Sequence, residues 1–138
     1  MPSWLRTRLP FVILALSTIA LGLVVHSRGT VLSPSVRDML GDGLWAMMIA
    51  WLVAAGCPRA ARWIRGLTAL AICWAVEFGQ LYHGPLVDGW RRTVAGQLVL
   101  GSGFNARDLV AYALGILVAA LLEPAITARL EQPIGESQ

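Results

Sequence analysis

The chain is predicted to be all-α: a polytopic membrane protein built as an antiparallel four-transmembrane-helix bundle, with a short interfacial helix between helices three and four. Three observations carry that prediction. Residues are 57% hydrophobic and only 14% charged, with a mean hydropathy of +0.65, which no ordinary soluble domain shows. The apolar residues come in four blocks, Leu9–Val25, Leu44–Cys57, Gly66–Tyr82 and Leu109–Leu122, rather than as scattered core positions. Hydrocarbon offers no water to free backbone groups, so segments that cross it are helical. At 138 residues, the whole chain is one membrane domain.

Helix one, about residues 9–26, follows Arg6 and Arg8 and looks like a signal sequence. Its apolar core is longer than an ordinary h-region, and His26-Ser27-Arg28 is no small-x-small cleavage site, so it reads as a retained anchor. Helix two is extended backwards from its apolar block to about 34–57. Ser33 suits the N-cap, Pro34 the first helical position, and Gly56-Cys57-Pro58 a stop. At 1.5 Å per residue it is roughly 34 Å long, enough to span. Helix three covers about 65–83. The linker that follows places Leu86, Val87, Trp90, Val94 and Leu98 at helical steps, the pattern of an interfacial helix, and ends in a Gly101-Ser102-Gly103 hinge. Helix four, about 106–123, starts at Asn105 with Asp108 three residues on. The tail, 125–138, is polar and reads as mobile.

All eleven basic residues are arginine, and the formal charge is +3. They flank apolar blocks, where arginines anchor to headgroups and orient the chain, which excludes a nucleic-acid partner. Six arginines fall on one side and five on the other. The slight bias, with the compact Arg59–Arg65 loop weighing most, puts both termini in the cytoplasm. Cys57 and Cys73 form neither a disulfide framework nor a metal motif, and no metal or other cofactor is expected.

Glu77 is the most informative residue, because a carboxylate inside an apolar run needs a partner, a proton or a ligand. An antiparallel bundle brings the end of helix one, the start of helix two, the end of helix three and the start of helix four to one membrane face. That face collects Asp42, Glu77, Gln80 and Asp108, with Arg37, Arg91, Arg92 and Arg107 around them. Asp42-Ala46-Ala50-Ala54 and Asp108-Tyr112-Gly115-Ala119 form inward stripes whose small residues let helices approach closely. Two readings stand side by side: ion pairs that fix helix register, or a pocket for an anionic, lipid-linked headgroup at the N-terminal poles of helices two and four. An enzyme with Glu77 as general base lacks a nucleophile or metal beside it. A small transporter or complex subunit would need an oligomer or a partner protein. His26, His83, Cys73 and Ser102 fit solvation, packing and a hinge better than chemistry.

Three motifs carry a family resemblance: Leu40-Gly-Asp42-Gly-Leu44; Val76-Glu77-Phe-Gly-Gln80-Leu-Tyr-His83; and Leu100-Gly-Ser-Gly-Phe-Asn-Ala-Arg-Asp108-Leu-Val-Ala-Tyr112-Ala-Leu-Gly115. In these the chain resembles the VanZ-like group of small bacterial membrane proteins, and looks closest to a related family of unknown function. The resemblance implies a multi-pass cell-envelope protein of the bacterial cytoplasmic membrane, with its polar pocket on the outer side. The wider group is linked to lipoglycopeptide resistance, which is not transferred to the uncharacterised branch. Many VanZ-like proteins carry Asn where this chain has Tyr112, so that residue's role does not carry over.

Overall fold

The computed structural model describes residues 3–28, 31–93, 96 and 103–130. Within them the chain is all-helical, in the order α1 (Ser3–Arg28), α2 (Pro34–Gly56), α3 (Arg62–Gly79), α4 (Pro85–Arg91) and α5 (Ala106–Leu130). Three of these are long and apolar enough to cross a membrane: Trp4–Arg28, Pro34–Gly56 and Ala106–Ala128. Large apolar side chains face outward from them: Leu16, Leu23 and Leu121 are 60%, 64% and 69% exposed.

Helix α2 starts as its sequence demands. The Ser33 hydroxyl accepts from the Val36 amide (3.4 Å), Pro34 takes the first position, and the chain leaves the helix at Cys57. Other boundaries move. Helix α1 begins at Ser3 rather than 9 and runs through Pro10, which removes one backbone hydrogen bond without ending the helix. The helix expected to stop near 123 continues through Pro124 to Leu130. There the Thr127 hydroxyl bonds back to the Glu123 carbonyl (2.9 Å), the usual back-bond of a threonine inside a helix.

Helix α3 is shorter than the expected 65–83. After Gly79 the chain tightens into a turn in which the amides of Gln80, Leu81 and Tyr82 bond the carbonyls of Glu77, Phe78 and Gly79, a common way to close a last turn. Its 18 residues span about 27 Å, and they include Arg62, Arg65 and Glu77. It is therefore not among the helices that qualify as spans by length and composition. The short helix between α3 and α5 is seven residues long, with Leu86 and Trp90 exposed. The Gly101–Ser102 part of the expected hinge, Val94 and Leu98, and the tail from 131 to 138 lie outside the described residues.

The packing has α2 at its centre. It touches α1, α3 and α5, while α3 and α5 also touch each other. Helices α2, α3 and α5 thus make a triangle, and α1 lies against α2 outside it. Contacts give the directions: Phe11 near the start of α1 stacks with Trp51 near the end of α2, and Glu77 late in α3 meets Tyr112 early in α5. By contrast, α2 and α5 run parallel, Gly43 meeting Gly115 and Ala54 clustering with Ala119. The small-residue stripes decide this arrangement. A Cβ built on Gly115 would sit 2.1 Å from the Gly43 carbonyl oxygen, so the two helix backbones are in direct contact. Ala46, Ala54 and Ala119 on those stripes are buried, as are Ala69 and Cys73 of α3.

Candidate functional site: a carboxyl cluster at one end of the bundle

Glu77 is completely buried, and the structure assigns a partner to each of its oxygens. Oε2 accepts from the Tyr112 hydroxyl (2.9 Å) and from Gln80 Nε2 (3.2 Å), while Oε1 accepts from the Asn105 backbone amide (2.6 Å). Gln80, three residues on and equally inward, passes the grip along: its Oε1 accepts from the Gly103 amide (3.1 Å). Phe104, between those two amides, stacks on Phe78 with ring centroids 5.9 Å apart. The end of α3 therefore clasps the segment that leads into α5 through two backbone amides and one ring. The charge that looked expensive is met by neutral donors, not by arginine.

Trp45 of α2 holds Tyr112 in place, its ring tilted against the phenol at 5.5 Å. The Tyr112 hydroxyl is the donor that reaches Glu77. The start of α5 is built as its sequence suggests. The Asn105 side chain accepts from the Arg107 amide (3.1 Å) and donates to the Asp108 carboxylate (2.8 Å), the local bonding that favours asparagine at helix starts.

Asp42 and Asp108 complete the cluster. Asp42 comes from the third turn of α2 and Asp108 from the first turn of the parallel α5. Their carboxyl groups and that of Glu77 are close enough to act on one another electrostatically. Both are half-buried. Among the described residues neither has a cationic partner. Like charges so placed repel, and a positive group between them would stabilise the pair.

The expected arginines are not at the centre. Arg91 is spent on α3: its guanidinium donates to the carbonyls of Gly79 (3.2 Å) and Tyr82 (2.9 Å) and to Asp88 (3.3 Å), capping the helix that ends there. Arg37 lies 3.9 Å from the exposed Asp38. Arg92 and Arg107 are exposed and, among the described residues, pair with no acid. His83 pairs with Asp88 instead of joining the cluster. Among the described residues, no three of His, Cys, Asp and Glu are arranged to hold a metal ion.

One family model, described as a protein of unknown function (DUF2809), matches residues 31–116. The chain belongs to this family. The match runs from just before α2 to the middle of α5, so the DUF2809 region contains every member of the carboxyl cluster and both glycines of the α2–α5 contact. It leaves out α1 and the second half of α5. No solved structure matches the chain.

At the other end lies a pair that sequence reasoning missed. Arg65 of α3 donates to Glu123 of α5, with both side chains largely buried, and the Arg65 guanidinium also lies 5.6 Å from the centre of the Phe11 ring. In sequence the compact Arg59–Arg65 loop carries no acid of its own. The available signal is depth: Arg65 immediately precedes the third apolar block and Glu123 immediately follows the fourth, so antiparallel packing puts them level.

Proposed function

We propose that this DUF2809 protein is a multi-pass protein of the bacterial cytoplasmic membrane that binds an amine-bearing phosphate headgroup at its Asp42–Asp108 end. The observation that carries this reading is the close pair of carboxyl groups, Asp42 and Asp108, with no cationic partner among the described residues. Arg92 and Arg107 are exposed and free to serve a phosphate beside it. A purely anionic guest would meet three acids first. A headgroup with both charges fits better: its ammonium between Asp42 and Asp108, its phosphate at those arginines. Glu77, Gln80 and Tyr112 then act as the frame that holds the start of α5 in register with α2. The VanZ-like motifs point the same way, towards the cell envelope. Glu77 is closed to solvent and saturated with donors, which argues against general-base catalysis.

The test uses purified protein in an uncharged detergent, with lipid retention followed by native mass spectrometry. Phosphatidylethanolamine, which offers N–H donors, should be retained several-fold better than phosphatidylcholine, which offers none. The double variant Asp42→Asn/Asp108→Asn should lose that preference while melting like the wild type. Equal retention of both lipids by the wild type, or an unchanged preference in the variant, removes the reading.

The same proposal makes α3 a fourth crossing. Its charges are hidden inside the protein, Arg65 against Glu123 and Glu77 among its three donors, while Ile64, Leu67, Ile72 and Trp74 face outward. Hidden, paired charges are the form in which ionisable residues occur in membranes. With both termini cytoplasmic, the exposed Cys57 should react with an impermeant maleimide only after cell lysis. In a Cys57→Ser background, Leu86→Cys should react in intact cells. The same sidedness for both positions would show that α3 does not cross.

A further inference from the structure

Helix α4 is only seven residues long, yet it is held at both its inner face and its end. Arg91, its last residue, donates to the carbonyls of Gly79 (3.2 Å) and Tyr82 (2.9 Å), which ties α4 to the end of α3. Asp88 accepts from the same guanidinium (3.3 Å). Just past the helix, the Thr93 hydroxyl donates to the Trp90 carbonyl (2.7 Å) and accepts from the Gly96 amide (3.0 Å). Gly96 comes so close that a Cβ on it would run into the Trp90 carbonyl. A helix fixed in this way presents a defined face. Successive residues turn by about 100°, so Leu86 and Trp90 share one side while Asp88 and Arg91 lie across the axis. Leu86 is 85% exposed and Trp90 65%, and Gly89, the other residue on their side, adds no charge.

Two observations say what covers that face. The outward apolar side of α3 leads straight to it: Trp74, Phe78, Leu81 and Tyr82, at steps of three, four and one, are all exposed. Aromatic residues also bracket α3, with Trp63 in its first turn and Tyr82 just past its end, both exposed. The helix between them is about 27 Å long, close to the ~30 Å of bilayer hydrocarbon, and tryptophan and tyrosine gather at the two headgroup levels. Because Arg91 bonds the Tyr82 carbonyl, Trp90 stands at the same level as Tyr82. We propose that α4 is a preformed anchor docked on a lipid leaflet, with Leu86 and Trp90 set among the headgroups and Arg91 holding the helix in that orientation. The inference rests on α3 crossing the membrane, as proposed above, and adds a task for α4. Arg91 grips α3 two residues from Glu77, so the anchor fixes the depth of the carboxyl cluster beneath the headgroups. At headgroup level, position 86 still meets water on its own side, as the maleimide test requires.

The test reads depth in the full chain, reconstituted in phosphatidylcholine vesicles. In a Cys57→Ser background, with Cys73 buried, an environment-sensitive fluorophore is attached at Trp90→Cys or at Arg92→Cys. Arg92 is exposed and projects from the opposite side of the helix. The label at 90 should be quenched several-fold more by lipid carrying a doxyl group near the headgroup than by lipid carrying it near the chain end. The label at 92 should be quenched weakly by both. Arg91→Gln should bring the two labels together, with the melting temperature confirming that the bundle stays folded. Equal quenching at 90 and 92 in the wild-type clamp overturns the anchor. So does a label at 90 that neither lipid quenches, which would mean that water or a partner protein meets this face. An unchanged pattern in Arg91→Gln removes the clamp. The sidedness of Cys57 and Leu86→Cys reads the α3 crossing separately, so failure here with that sidedness intact strikes the anchor alone.

Discussion

Glu77→Ala is expected to destabilise the protein by about 3 kcal/mol or more, the largest loss at any single polar position. The substitution removes the acceptor of three donors at once: the Tyr112 hydroxyl, Gln80 Nε2 and the Asn105 amide. Each buried donor left without an acceptor costs about 1–3 kcal/mol, more than the net worth of the bond itself. The deleted side chain is also fully enclosed, so water does not simply refill the gap. Tyr112→Phe removes only one donor and leaves the carboxylate two others. A single polar contact between membrane helices is worth about 0.6 kcal/mol, rarely above about 1.7, so that variant should be mild. Glu77→Gln should fall between the two, since its one oxygen serves some of the donors but its amide nitrogen serves none. Tryptophan fluorescence during heat or detergent unfolding reads all three. Amide exchange at Gly103 and Asn105 should quicken in the alanine variant. If Glu77→Ala and Tyr112→Phe cost the same, the clasp on the α5 start is not what stabilises this end.

Gly115→Val should be nearly as damaging, for a steric reason. The first added carbon already lies 2.1 Å from the Gly43 oxygen and 2.8 Å from its carbonyl carbon. Both are backbone atoms, which cannot rotate aside, so α2 and α5 must separate along their contact. Overpacking of this kind costs about 1–3 kcal/mol even where flexible side chains absorb it. Gly115→Ala should therefore sit at the upper end of that range, and Val should exceed it. The contact is asymmetric. A Cβ on Gly43 would meet the Ala111 oxygen at 3.6 Å, ordinary van der Waals distance, so Gly43→Ala should be tolerated. Gly66→Ala, whose Cβ would meet Ile116 at 3.9 Å, should be neutral or stabilise slightly, as alanine favours helix by about 0.5–1 kcal/mol. Melting temperatures of the three alanine variants decide the matter. A Gly115→Ala protein as stable as Gly43→Ala would mean the helices are not in backbone contact.

Much of this architecture is legible in the linear chain, and the exceptions share a cause. Ser33, Pro34 and the Gly56–Pro58 stop place α2 to within a residue, because caps act through neighbours only a few positions away. The stripes of Asp42–Ala54 and Asp108–Ala119 point to buried faces for the same reason: helical periodicity is local. The outer helix ends are less legible. Helix α1 starts at Ser3 rather than near 9, and α5 runs past 123 through Pro124, since one missing amide costs less than ending the helix there. Arg91 misleads differently. Its place on the same membrane face as Glu77 suggests a charge for a bound headgroup, but its guanidinium is taken by the carbonyls of Gly79 and Tyr82.

Sequence by itself determined that the chain is all-helical, with helices long and apolar enough to cross a membrane; the match over residues 31–116 places it in the DUF2809 family. Hydropathy and periodicity are properties of successive residues, so they need no coordinates. Only the tertiary structure decided what the carboxylates do. Glu77 proved to be a clasp for the Gly103–Asn105 segment, while Asp42 and Asp108 lie close together with no cationic partner among the described residues. It also paired Arg65 with Glu123 across 58 positions of chain. Such partners are chosen by which helices touch, and that depends on a backbone contact between two glycines 72 residues apart.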